Sequence, residues 1–228
     1  MANLTKYQTA TCIAIFFHII GLVGILVFKS QLIIQSTPVN LLLSGALLVW
    51  TQKEKNNYYY LFVVIVAIAG FAVEVIGVNT SLLFGNYSYG NVLGVKFKNV
   101  PLLISLNWFI IIYCCGITVH TLLTSVIDKA AVQSKTPPLI VKAISIITDG
   151  ATLAVLFDWL MEPVAIKLGF WQWKGNGTIP LYNYICWIVI SLLLLTIFHV
   201  LPFNKQNKFA TNLLLIQFMF FLLLRTFL

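Results

Sequence analysis

The sequence predicts an all-α fold: a polytopic transmembrane helix bundle of about seven spans, forming one integral membrane domain over residues 1–228. Three observations predict it. Apolar residues make up 60% of the chain and charged residues only 9%, with mean hydropathy +0.96, against roughly 25% charged in soluble domains. The apolar residues gather in runs of about 20, the length that a hydrocarbon core of about 30 Å requires. One arrangement of acid, glycine, aromatic pair, proline, tryptophan and histidine also occurs twice at matched spacing, as in an internally duplicated membrane protein.

The expected spans cover about residues 9–28, 32–50, 58–78, 100–127, 139–162, 180–203 and 210–228. The second is the most interrupted, by Gln31, Gln35, Pro38 and Asn40. Short polar connections fall at 51–57, 128–138 and 204–209, and Glu54 and Asp128 belong to such loops. The first span is too long for a signal-peptide core and lacks a small-x-small cleavage site, so it is expected to stay in place. Longer connections at 79–99 and 163–179 carry the aromatic pairs.

The repeats occupy about residues 70–122 and 154–201, spans three and four and spans five and six. The first runs Glu74, Gly85, Tyr87, Tyr89, Pro101, Trp108, His120, and the second Asp158, Gly169, Trp171, Trp173, Pro180, Trp187, His199. From acid to glycine is 11 positions in both copies, and from acid to the two aromatics 13 and 15. From proline to tryptophan is 7 and from proline to histidine 19. Both acids fall near the ends of spans that run in the same direction, roughly 6 Å inside the boundary at helical rise. The aromatic pairs emerge on that same surface. Pro101 and Pro180 are expected to open the helices that follow, where a missing N–H costs nothing.

An ionisable group within a span costs about 2.5–3.5 kcal/mol on insertion scales, so each one is a functional candidate. Glu74, Asp149, Asp158 and Glu162 meet that description. Asp158 and Glu162 share a helix face four residues apart. Pro163 biases Glu162 out of helical geometry, so the fifth span is expected to end there. Asp149 lies half a turn around from Asp158 and has no counterpart in the first repeat, which leaves it outside the candidate site. Asn183 reads equally as an interhelical hydrogen-bond residue or as a water anchor. The aromatic pairs alone would pass for an interfacial belt; their matched distance from an acid, twice, argues for a site.

Other chemistries find little support. The net charge of +8 is scattered over every loop, as topology and lipid headgroups require, and does not point to nucleic acid. Eight basic residues on the N-terminal side (Lys6, Lys53, Lys55, Lys129, Lys135, Lys142, Lys205, Lys208) against six on the other favour a cytoplasmic N-terminus. Cys12, Cys114, Cys115 and Cys186 all fall within spans without CxxC spacing and read as free thiols. His120 and His199 lie toward the opposite surface and His18 is alone, so no metal site is expected. Phosphate loops, nucleophile elbows and zinc-protease motifs are missing, as are the DDxxD pairs of a prenyl transferase.

The run Phe84-Gly85-Asn86-Tyr87-Ser88-Tyr89, with Leu93-Gly94 and Val100-Pro101, resembles a signature of the carotenoid biosynthesis membrane proteins. Asp158-Trp159-Leu160-Met161-Glu162-Pro163, followed by Gly169, Trp171, Trp173, Ile179-Pro180, Asn183 and Trp187, resembles the second signature of that family. Together they cover roughly residues 70–190. The family includes carotenoid 1,2-hydratases acting on γ-carotene, lycopene or bisanhydrobacterioruberin. This chain departs from it at Glu162-Pro163, where Asp-Pro is usual, at Thr80-Ser81 for Thr-Gly, and at Gly90, where Thr is common.

The resemblance implies a carotenoid substrate taken from the lipid phase and the addition of water. Chemistry of that kind fits the residues. Protonating an isopropylidene end gives a tertiary cation that water captures, and no cofactor or metal takes part. Glu74 and Asp158 would divide the roles of proton donor and base in either order, with Glu162 supporting them. Tyr87, Tyr89, Trp171 and Trp173, with Trp108, Trp187 and Asn183, would bind the substrate and stabilise the cation. Two other readings stay open: a prenyl-lipid cyclase or isomerase using the same acids, and a carotenoid-binding or transport protein. The expected location is integral to a bacterial cytoplasmic membrane, with lipids, carotenoid and water as partners and no nucleic acid.

Overall fold

The structure is a computed structural model and describes residues 4–131, 139–175 and 177–228. Most of the connection expected over 128–138 lies outside the described residues. Eight helices and four very short strands follow one another as α1 (Lys6–Leu26), α2 (Gln31–Gln35), α3 (Thr37–Thr51), α4 (Asn57–Thr80), β1 (Tyr87–Tyr89), β2 (Lys96–Phe97), β3 (Val100–Pro101), α5 (Ile104–Ala131), α6 (Leu139–Lys167), β4 (Trp171–Trp173), α7 (Leu181–Val200) and α8 (Lys208–Phe227). Among the described residues, α1, α4, α5, α6, α7 and α8 are long and apolar enough to cross a membrane. The chain is an all-α transmembrane bundle.

The second expected span differs. Residues 32–50 are broken at Ser36 into α2 and the 15-residue α3, about 22 Å at helical rise and short of a 30 Å core. Pro38 is the physical reason, since it cannot donate to the Ile34 carbonyl one turn back. Thr37 Oγ1 donates to that carbonyl instead at 2.8 Å, and Ser36 Oγ to Ile33 at 2.7 Å. α3 still runs from one end of the bundle to the other. Thr37 stands beside Phe170 at the end opposite the N-terminus, and Thr51 beside Asn207 at the N-terminal end.

α5 is the central helix, packed against α3, α4, α6, α7 and α8, and Cys114 and Cys115 lie fully buried on it. α5 also extends past the expected boundary at 127, so position 128 is helical rather than in a loop. The outward faces remain apolar, with Phe16 on α1 and Leu193 on α7 among the exposed side chains. Lipid, rather than water, suits such a surface. A polar knot closes the N-terminal end. Gln52 Nε2 donates to Asn204 O at 2.6 Å and Asn56 Nδ2 to Pro202 O at 2.8 Å. The Tyr113 hydroxyl donates to Gln52, and Asn207 reaches both Leu48 O and Tyr113 at 3.2 Å.

At the opposite end, two expectations about prolines are corrected. α6 does not stop before Pro163; it runs on to Lys167 with the proline inside. The carbonyl that Pro163 leaves without a donor belongs to Trp159, and Arg225 of α8 fills the gap. Its Nη1 donates to Trp159 O at 2.7 Å while the guanidinium stacks 3.7 Å from the Trp159 ring centre. Pro101 does not open α5 either. It pairs with Lys96 in the β2–β3 ribbon, and the helix begins three residues later. Pro180 sits at the N-cap of α7.

The two aromatic-x-aromatic segments, expected as loops, form an antiparallel pair. Tyr87 faces Trp173, Ser88 faces Gln172, and Tyr89 faces Trp171. Lys174 N–H donates to Asn86 O at 2.9 Å and Gly90 N–H to Phe170 O at 2.8 Å, extending the ladder on both sides. Gly90 is required for that approach, because a Cβ there would stand 2.0 Å from Gly169 O. The Thr common in the resembling family would not fit this arrangement.

Two outcomes are expected. Arg225→Ala lowers stability by about 1–3 kcal/mol by orphaning the Trp159 carbonyl, and by less than half as much in a Pro163→Ala background that restores the N–H. Unfolding in detergent micelles of the two single variants and the double variant checks this. Gly90→Ala forces β1 and β4 apart, and acrylamide should then quench tryptophan emission several-fold more strongly than in the unchanged protein.

Candidate active site

The paired strands lie across the bundle end where α4 and α6 finish, and beneath them the acids meet. Glu74 comes from α4, Asp158 and Glu162 from α6, and Asn183 from the first turn of α7. None is more than 5% exposed. A buried carboxylate needs donors, and the strands supply most of them. Tyr87 and Tyr89 hydroxyls both donate to Glu74 Oε2, at 2.5 and 2.7 Å. Trp108 Nε1 of α5 donates to Oε1 at 3.0 Å. Burial and the Glu74 carboxyl push both phenols well above their usual range, so they stay protonated and donating.

In the second repeat the donors shift by one helical turn. Trp171 Nε1 and Trp173 Nε1 both donate to Glu162 Oε2, at 2.9 and 3.1 Å. Among the described residues, Asp158, which matches Glu74 by spacing, receives only Asn183 Nδ2, at 2.8 Å on its Oδ2. Asn183 also stands 3.5 Å from Glu162 Oε1, at the outer limit of a hydrogen bond. Donor counts therefore separate the acids: Glu74 accepts three, Glu162 two and a long one, Asp158 one.

The rings close over the acids. Tyr87 packs on Trp173 with centroids 5.2 Å apart and Tyr89 on Trp171 at 5.9 Å. Trp108 and Trp187, corresponding positions in the two repeats, stack at 4.1 Å with 14° between planes. In the β1–β4 register, the first position of each tripeptide meets the third of the other, as a local two-fold would place them.

All of these groups surround one cavity of about 30 Å³, room for one or two waters. Glu74, Asp158 and Glu162 line it, together with Tyr87, Tyr89, Trp108, Trp171, Trp173, Asn183 and Trp187. Asp149 is exposed on α6 and has no part in it. His120 stands at the N-terminal end of the bundle beside Lys6 and Asn207. Among the described residues, no three His, Cys, Asp or Glu side chains are placed to hold a metal ion.

Sequence reasoning passed over Phe84, Ile104, Asn107 and Met161, which also line the cavity. Asn107 carried a signal, as an amide beside Trp108 in an apolar helix. Phe84 carried one too, as the first residue of the run Phe84-Gly85-Asn86-Tyr87-Ser88-Tyr89, whereas its positive φ of 64°, a tight turn just before Gly85, shows only in the structure.

No curated protein and no solved structure matches this chain. The sequence model of the family described as "Carotenoid biosynthesis protein" matches residues 13–228, nearly its whole length. With buried acids and rings gathered at one end of an apolar bundle, the chain belongs to the carotenoid biosynthesis protein family.

Proposed function

We propose that the protein adds water across the terminal C1=C2 bond of an acyclic carotenoid end group, without a cofactor. The observation that carries this reading is the water-sized cavity walled by three carboxyl groups and seven aromatic side chains drawn from both repeats. The repeats would descend from one duplicated two-helix unit, each copy giving the site an acid, an aromatic pair and a tryptophan.

Asp158 is the proton donor in this reading. With one donor aimed at it, it gains least from being ionised, whereas Glu74, facing three N–H and O–H donors, is suited to the carboxylate form. The Asp158 proton goes to C2 and leaves a tertiary cation at C1. Ring faces around the cavity stabilise that charge by about 0.5–2 kcal/mol each when desolvated, and the Glu74 carboxylate adds electrostatic stabilisation. Water in the cavity bonds to C1 through its oxygen. Its surplus proton passes to Glu74 and then through the next water to Asp158, so that one water is consumed and the acids are restored. Glu162 holds Trp171 and Trp173 in place. A bacterial cytoplasmic membrane would supply the lipid-phase substrate on one side and water at the bundle end.

An acid that protonates an alkene also serves a cyclase or isomerase, and the aromatic rings around the acids, which would stabilise either cation, favour that second reading equally. Product mass separates the two. Expression in a bacterium that accumulates lycopene or γ-carotene should yield a pigment heavier by one water in liquid chromatography–mass spectrometry. Asp158→Asn should lower its formation by at least about 10²-fold, the usual contribution of a general acid, and Glu74→Gln similarly, with both variants present in the membrane. A product of unchanged mass would replace hydration by isomerisation or cyclisation at the same acids. Unchanged pigment would leave the protein a carotenoid-binding or transport role.

A further inference from the structure

The acid cavity does not stand alone. It shares Ile104, Asn107, Met161 and Trp171 with an apolar cavity of about 70 Å³ between α3, α5, α6 and α8. That one shares Leu41, Asn107, Phe170 and Phe221 with a third, of about 210 Å³, that opens between α1 and α3. Through His18 and Phe220 the third meets a groove of about 290 Å³ on the outer side of α1 and α8. From Ile25 to Ile15 the string follows α1 for ten residues, about 15 Å toward mid-membrane at helical rise.

We propose that this string of cavities is the binding path of the substrate's polyene chain, which enters from the lipid between α1 and α3 and reaches the acids past Leu41, Met161 and Asn107. This rests on the hydration reading for the identity of the reacting end, but not for the path itself. Three features select the occupant. The walls are mainly apolar, with polar side chains such as Asn40, Ser44 and Gln217 confined to the outer cavity, so the chain that fits the inner path is a hydrocarbon. The path ends on three carboxyl groups, which repel a phosphate headgroup and admit only an uncharged terminus. Its inner stretch, a cavity of about 70 Å³ leading to the acid cavity of about 30 Å³, takes a slim open-chain end more readily than a bulky cyclic one.

The path lies on the Asn107 side of the site. Asn107 lines all three inner cavities, and its amide has no hydrogen-bond partner among the described residues. Six positions after Pro180, the matching place in the second repeat is Cys186, whose Sγ receives the Phe84 N–H at 3.2 Å. There the protein closes on itself. Asn107 is thus the polar group at the junction of water and chain, a positioning residue for both.

Pigment retained by the purified protein tests the path independently of chemistry. The Asp158→Asn protein, purified in detergent from lycopene-accumulating cells, should keep lycopene at a measurable ratio by absorbance. Adding Leu41→Trp, or Gly21→Leu beside Phe220, should cut the retained pigment at least about tenfold. Leu193→Phe, on the lipid-facing side of α7, should leave it unchanged. Titration of the Asp158→Asn protein with lycopene should also quench tryptophan emission to saturation, a measurement that needs no blocking variant. Retention that survives both blocking variants, phospholipid as the only retained molecule, or quenching that never saturates would each overturn the path. A path that carries water alone would show as lost hydration with pigment still held, and would also overturn it. Wild-type protein that leaves lycopene unchanged while the retention pattern holds would sink hydration and leave the path standing.

Discussion

Three carboxyl groups share one bundle end at 5% exposure or less, and the donors they need organise everything around them. An unpaired polar group costs a few kcal/mol away from water, and an unpaired charge far more. Helices cannot meet that need from their own backbones, because their N–H groups are already used. Most of the donors come instead from Tyr87, Tyr89, Trp171 and Trp173, four side chains on two short extended segments. Extended backbone serves here because alternate residues point to one face, so residues two apart both reach down to a single carboxylate. The β1–β4 pairing then satisfies the backbone groups of those segments and locks the two halves together.

That constraint explains which parts of the architecture were legible in the sequence. The spacing of 13 and 15 residues from acid to aromatics brings the rings back to the acids at the end of each helix, and the cavity gathers the acids, aromatic pairs and tryptophans of both repeats, while their glycines, prolines and histidines lie outside its lining. The register of the pair was not legible. Nothing in Tyr87–Tyr89 or Trp171–Trp173 announces that the two tripeptides bond to each other. The shift of the tryptophans from Asp158 to Glu162 was hidden as well. It follows from α6 continuing through Pro163, which carries Glu162 to the position beneath the rings.

The outcomes at Pro163 and Pro38 turn on one physical cause. Sequence rules treat proline as the end of a helix because it removes a donor and crowds the preceding turn. In a membrane bundle a distant side chain often meets that deficit, and Arg225 does so for Trp159, sixty-six residues away in sequence. At Pro38 the partners are local hydroxyls, and the helix breaks instead. The difference lies in what stands nearby, which a single sequence does not disclose.

Duplication and asymmetry divide the work of the site. Where the two halves agree, at Trp108 and Trp187 or at the paired strands, the matched residues meet face to face and build the walls. Where they differ, the chemistry gains direction. On the proposed reading, three donors on Glu74 against one on Asp158 suit the first acid to the carboxylate form and the second to carrying a proton. Asn107 against Cys186 opens one flank and seals the other. A symmetric site would have offered two equivalent acids and two equivalent openings, with no preference for which end of the reaction each served. A rod-shaped substrate that enters by a single flank presents one end at a time. A second identical end would have to leave and return reversed, so on this reading the singly hydrated carotenoid is released as a free intermediate before the second water is added.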